Sequence, residues 1–104
     1  MKTIISSTGN STDAQFDLRF GRAGWFCLLD EETGNTKFIK NGNEDGSHTA
    51  GSRASEKAIE LGARKVISGD FGSTAREILD KFNIQMVIIP DDNLTIAEII
   101  QKIK

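Results

Sequence analysis

The sequence has one cysteine, one histidine, no long apolar run and almost no excess of charge. A lone cysteine excludes an internal disulfide, and it excludes a four-thiolate zinc or iron-sulfur site built by one chain. A cluster bound here would draw ligands from other residues or from a second subunit. Cys27 lies inside the apolar run WFCLL, where it reads as a small buried hydrophobe rather than a reactive thiol. With one histidine, His48, any general-base scheme would rest on that residue alone. No Ser-His-Asp or Cys-His arrangement is recognisable by spacing, so a non-enzymatic role is expected. The formal net charge is −2, and the cations are scattered, unlike the clustered patches that bind nucleic acid. The runs MVIIP and WFCLL fall far short of the roughly 20 residues that span a bilayer, and no signal-peptide core opens the chain. A cytoplasmic protein with no membrane and no nucleic-acid partner is expected, as one domain over residues 1–104. Its composition, 38% hydrophobic and 27% charged, suits an ordinary folded domain.

What is present is a regular alternation of short apolar segments. TIISS (3–7), WFCLLD (25–30) and TKFIKN (36–41) read as strands, the last two joined by the Gly- and Asn-bearing turn EETGN. After the linker NGNEDGS, residues Ala50, Ala54, Ala58 and Leu61 recur at helical spacing, with Ser47 as N-cap and Gly62 as the stop. KVISG is a buried strand. STAREILDKF is a helix with Ala75, Ile78, Leu79 and Phe82 inward and Asn83 at its end. QMVIIP is the fifth strand. Thr95 and Glu98 form a capping box for a last helix, Leu94 and Ile99 its hydrophobic staple, and Ile96, Ile99, Ile100 and Ile103 its buried stripe.

The order β-β-β-α-β-α-β-α predicts an α/β fold: a mixed five-stranded sheet, order 3-2-1-4-5, with three helices on its faces. In that order the loops 8–24, 41–47, 69–72 and 90–94 gather at one edge, where open α/β sheets bind ligands. The helix starts near His48, Ser73 and Ile96 point to the same edge and bring unpaired N–H groups and positive dipole ends. With Arg19 and Arg22 they favour an anion. The long polar loop DAQFDLRFGRAGWF is then one wall of a site. Within it Phe16 and Phe20 are expected to anchor on the sheet, and Asp17 to pair with Arg22. Trp25 suits either the core or an exposed contact. Gly69 to Gly72, GDFG, reads mainly as a strand-to-helix turn bordering the site; its likeness to a kinase triplet is chance, and no Walker ending follows.

The segments DLRFGRAGWFCLLD, SHTAG and VISGDFGSTAREIL before NIQMVIIP, taken in this order, resemble the dinitrogenase iron-molybdenum cofactor biosynthesis family. That family includes NifX-like carriers, NafY and the C-terminal domain of NifB. The resemblance runs from Ile4 to Ile100. It implies a ribonuclease H-like fold and, for the nitrogenase-associated members, binding and delivery of an iron-sulfur or iron-molybdenum cluster precursor. Cofactor-binding members carry a histidine before the Phe-Gly of the first loop; here Arg19 takes that place. His48 matches a second histidine position of the family, and reads either as a metal ligand or as a solvated residue at a helix start. A nuclease role is excluded, since the first strand carries none of the carboxylates that two-metal chemistry needs.

The resulting expectation is a carrier for an anionic cluster or its precursor. Its binding residues would be Arg19, Phe20, Gly21, Arg22, His48, Gly69 and Gly72, with His48 as the metal ligand. The alternative is a non-enzymatic interaction or regulatory module that keeps the fold, has lost cluster binding, and takes a protein or a phosphate-bearing small molecule. A monomer or weak homodimer suits either.

Overall fold

The computed structural model describes residues 1–42 and 49–103. Five strands, β1 (Lys2–Ser7), β2 (Trp25–Asp30), β3 (Thr36–Lys40), β4 (Lys65–Ser68) and β5 (Gln85–Ile88), alternate with three helices, α1 (Ala50–Glu60), α2 (Ser73–Lys81) and α3 (Ile96–Ile103). The sheet order is β3-β2-β1-β4-β5, the order the alternation of elements predicts. The β1–β2 and β2–β3 pairs are antiparallel, whereas β1–β4 and β4–β5 are parallel.

Successive side chains of a strand point to opposite faces, and the two halves of the core follow from that. Ile4, Phe26 and Val66 pack with Ala54, Ala58, Ala75 and Leu79 of α1 and α2. Their neighbours Ile5, Cys27 and Ile67 pack with Ile96 and Ile99 of α3. Alanine at the helix contacts leaves little side chain between helix and sheet, which brings the starts of α1 and α2 close to the strand ends. Cys27 is fully buried, and loss of hydration pushes its thiol from 9.0 up to about 12.

Some local details differ from the sequence pattern. The N-cap of α1 is Thr49, whereas Ser47 lies outside the described residues. Phe82, expected inward, is 53% exposed: α2 has ended at Lys81, and the chain turns through Asn83 at φ 58° so that Ile84 fills the core instead. Gly62, at φ 75°, terminates α1 as expected. The capping box of α3 is present, with the Thr95 amide donating to Glu98 Oε1 at 2.9 Å and the Glu98 amide to Thr95 Oγ1 at 3.2 Å.

The long loop after β1 is a strap across the carboxyl end of the sheet. Phe16 enters the core on the α3 face and Phe20 the core on the α1/α2 face, both 1% exposed. Between them the buried Ser6 hydroxyl donates to the Asp17 carbonyl at 2.5 Å, and the Ser68 hydroxyl approaches the Leu18 carbonyl at 3.3 Å. Backbone bridges join Phe16 to Ser7 and Arg19 to Asp70. Phe20 stacks on Phe26 at 5.4 Å and meets Phe71 at 5.2 Å. Leu18 occupies the space where Gly69 has no side chain: a Cβ there would lie 2.7 Å from Leu18 Cβ and 2.8 Å from its Cα.

Gly69→Ala is therefore expected to push the strap off the sheet end and to destabilise the protein by about 1–3 kcal/mol, the usual cost of overpacking; denaturant unfolding measures it. The Cys27 thiol is expected to resist a disulfide reagent at pH 8 in the native protein and to react at once in denaturant.

Candidate functional site at the carboxyl edge

The strap, the start of α1 and the β4–α2 turn enclose an open cavity of about 440 Å³, lined by Arg19, Phe20, Gly21, Arg22, Ala50, Gly51, Asp70, Gly72 and Ala75. Its floor is made of small residues because the backbones meet there. A Cβ on Gly21 would lie 3.1 Å from the Gly51 nitrogen and 3.2 Å from its Cα, so the strap rests directly on the first turn of α1.

The electrostatics follow from helix geometry. A helix leaves its first amides without partners inside the helix and carries partial positive charge at that end. Neither Thr49 of α1 nor Gly72 of α2 makes a side-chain cap, and both first turns border the cavity. The third helix start, expected at the same site, serves another purpose. The Ile96 amide donates to the Ala14 carbonyl at 3.0 Å and the Ala97 amide to the Thr12 carbonyl at 2.9 Å, while Thr95 and Glu98 cap each other. The α3 start fastens the strap.

Arg19 and Arg22 bring cationic side chains to the cavity. The Asp17 partner is Arg19, not Arg22: its Oδ1 accepts from Arg19 Nε at 3.1 Å and its Oδ2 from Nη2 at 3.0 Å. Asp17 Oδ1 also accepts the Arg19 amide at 2.9 Å. Asp17 is only 5% exposed, so this carboxylate is part of the strap's interior and fixes the Arg19 guanidinium by pairing with its charge. One carboxylate, the exposed Asp70, also lines the cavity.

Of the residues expected from sequence, Arg19, Phe20, Gly21, Arg22 and Gly72 line one cavity. Gly69 stands behind it, beneath Leu18. His48, the expected metal ligand, lies outside the described residues. Among the described residues no group of three or more His, Cys, Asp or Glu side chains is placed to hold a metal ion, and the charged side chains that line the cavity are those of Arg19, Arg22 and Asp70. Sequence reasoning missed Ala50, Gly51, Asp70 and Ala75. Ala50 and Ala75, small residues within the helical patterns, were the signal for two of them. It also missed Asn41, a 4% exposed side chain that holds the strap from behind.

Comparison with known proteins agrees with the fold. The apo form of the orange protein from Desulfovibrio gigas superposes with a TM-score of 0.90 at 27% identity, over 98% of this chain and 85% of that one. A proposed NifB protein from Thermotoga superposes with a TM-score of 0.84 at 24% identity, again over 98% and 85% of the two chains, a likeness of fold. Among curated proteins none matches the chain. The sequence profile described as dinitrogenase iron-molybdenum cofactor matches residues 1–104 from end to end, and the chain belongs to that family.

Proposed function

We propose that the protein is a carrier that cradles an anionic iron-sulfur or iron-molybdenum cluster, or its precursor, at the carboxyl edge of its sheet. The observation that carries this reading is the convergence of Arg19, Arg22 and the first turns of α1 and α2 on one open cavity of about 440 Å³. That volume lies within the range of about 300–1,000 Å³ usual for small-ligand sites. Family membership supports the nature of the cargo.

In this reading the arginines supply charge-assisted hydrogen bonds to the outer atoms of the cargo. The α1 and α2 amides and Gly72 supply backbone contacts, and Phe20 holds the strap in place beneath them. His48 adds a ligand or a hydrogen bond. Contacts of the arginines and amides hold a cluster without a covalent bond to the protein, and His48, if a ligand, is exchanged for one of the acceptor's on transfer. A phosphate-bearing small molecule presents the same negative outer shell, so the test includes it as a separate arm.

The test is anaerobic titration with iron-sulfur cluster, molybdate and inorganic phosphate, following visible absorption, bound iron and heat. Saturable uptake of cluster is expected. Arg22→Ala should weaken it by about 10- to 100-fold, the scale of one hydrogen bond to a charged group. Loss of uptake in His48→Ala would assign that residue to the site. Gly51→Ala has room in the fold, its Cβ lying 3.8 Å from Ala75 Cβ. It is expected to leave thermal stability equal or higher while weakening uptake. Absence of iron binding in every form, with phosphate bound, would replace the carrier by the metabolite-binding module.

A further inference from the structure

The strap segment Phe20–Gly24 is organised around one buried amide. Asn41, just beyond the end of β3, is 4% exposed. Its Nδ2 donates to the carbonyl oxygens of Ala23 at 2.8 Å, Gly21 at 3.1 Å and Phe20 at 3.4 Å. Its backbone amide donates to the carbonyl of Gly24 at 3.0 Å. Carbonyl oxygens only accept, so the side chain must present nitrogen and not oxygen to all three. Four carbonyls of five consecutive residues thus face Asn41.

A trans peptide places its C=O and the following N–H on opposite sides, and no cis peptide bond occurs among the described residues. When the carbonyls of Phe20 and Gly21 turn toward Asn41, the N–H ends of the Phe20–Gly21 and Gly21–Arg22 peptides turn away from it. Phe20, Gly21 and Arg22 also line the cavity, and Asn41 does not. Successive peptide N–H groups directed into a concavity attract anions whatever the side chains are. Gly21 is the residue at which the strap backbone rests on the α1 start, so these dipoles add to that of the helix.

We propose that Asn41 is a positioning residue that gives the anion site its polarity, withdrawing the strap carbonyls from the cavity and turning its peptide N–H ends inward. The ligand class is an oxyanion or thioanion with several equivalent outer atoms, able to engage the strap, the α1 start and the arginines together. This rests on the carrier reading of the same cavity. Asn41 touches no cargo itself.

The experiment is titration of the isotope-labelled protein with sodium molybdate, observed by amide NMR, in the wild type, Asn41→Ala, Asn41→Asp and Arg22→Gln. In the wild type the Gly21 and Arg22 amide protons are expected to move downfield and saturate with the same affinity as the amides at the α2 start. Asn41→Ala should weaken molybdate about tenfold, the scale of a lost hydrogen bond, while the dependence of affinity on ionic strength stays that of wild type because no charge has been removed. Asn41→Asp should weaken it further, since a carboxylate would repel the carbonyls outward. Arg22→Gln should instead flatten the ionic-strength dependence. Should a variant fail to fold, the wild-type titration decides. Molybdate that shifts the α2-start amides but leaves Gly21 and Arg22 unmoved would overturn the positioning role and leave the carrier reading standing. No saturable shift anywhere would overturn the positioning role, and the carrier reading would then stand or fall on the cluster titration alone.

Discussion

The cavity at the carboxyl edge of this sheet exists because a polar loop is nailed across it. Hydrogen bonds to the strap from the Ser6 and Ser68 side chains hold its middle, and two phenylalanines sink one into each half of the core. Buried hydroxyls cost free energy unless bonded; here they are satisfied by strap carbonyls, so strap and sheet hold each other. Gly69 permits the contact by leaving room for Leu18. Without this closure, Arg19 and Arg22 would sit on an ordinary solvated loop.

The same closure explains how charge is distributed. Asp17, inside the strap, fixes Arg19 through two side-chain contacts and one backbone contact. Asn41 gathers carbonyls on the far side. The α3 start is consumed in binding residues 12–14, which leaves the α1 and α2 starts as the helix ends at the cavity. Small residues at Gly21, Gly51 and Ala75 keep that space open. The carrier proposed above would use such a surface through anion recognition strong enough to hold, with an open side from which cargo leaves.

Much of the fold was legible because its signals are local. Period-two apolar segments mark strands, alanines and isoleucines at helical spacing mark buried helix faces, and Thr95 with Glu98 marks a helix start through a contact three residues long. Phe16 and Phe20 were readable as anchors, since two exposed phenylalanines would forfeit about 2 kcal/mol each. The errors were also local. Phe82 matched the helical period but fell beyond the helix end. Arg22 and Arg19 are equally plausible partners for Asp17 by composition, and only the path of the backbone selects Arg19.

By itself the sequence determined the order of elements, the strand order and hence the edge at which a site would form, because periodicity and connection rules act over short stretches and leave few topologies. It also determined that Arg19 and Arg22 would stand at that edge and that one cysteine is all the chain has. The tertiary structure alone decided which glycine serves packing and which lines the cavity, which helix start is consumed, and that Asn41 acts at all. Those roles arise from groups about 20 to 85 residues apart coming into contact, and no local pattern encodes such a meeting.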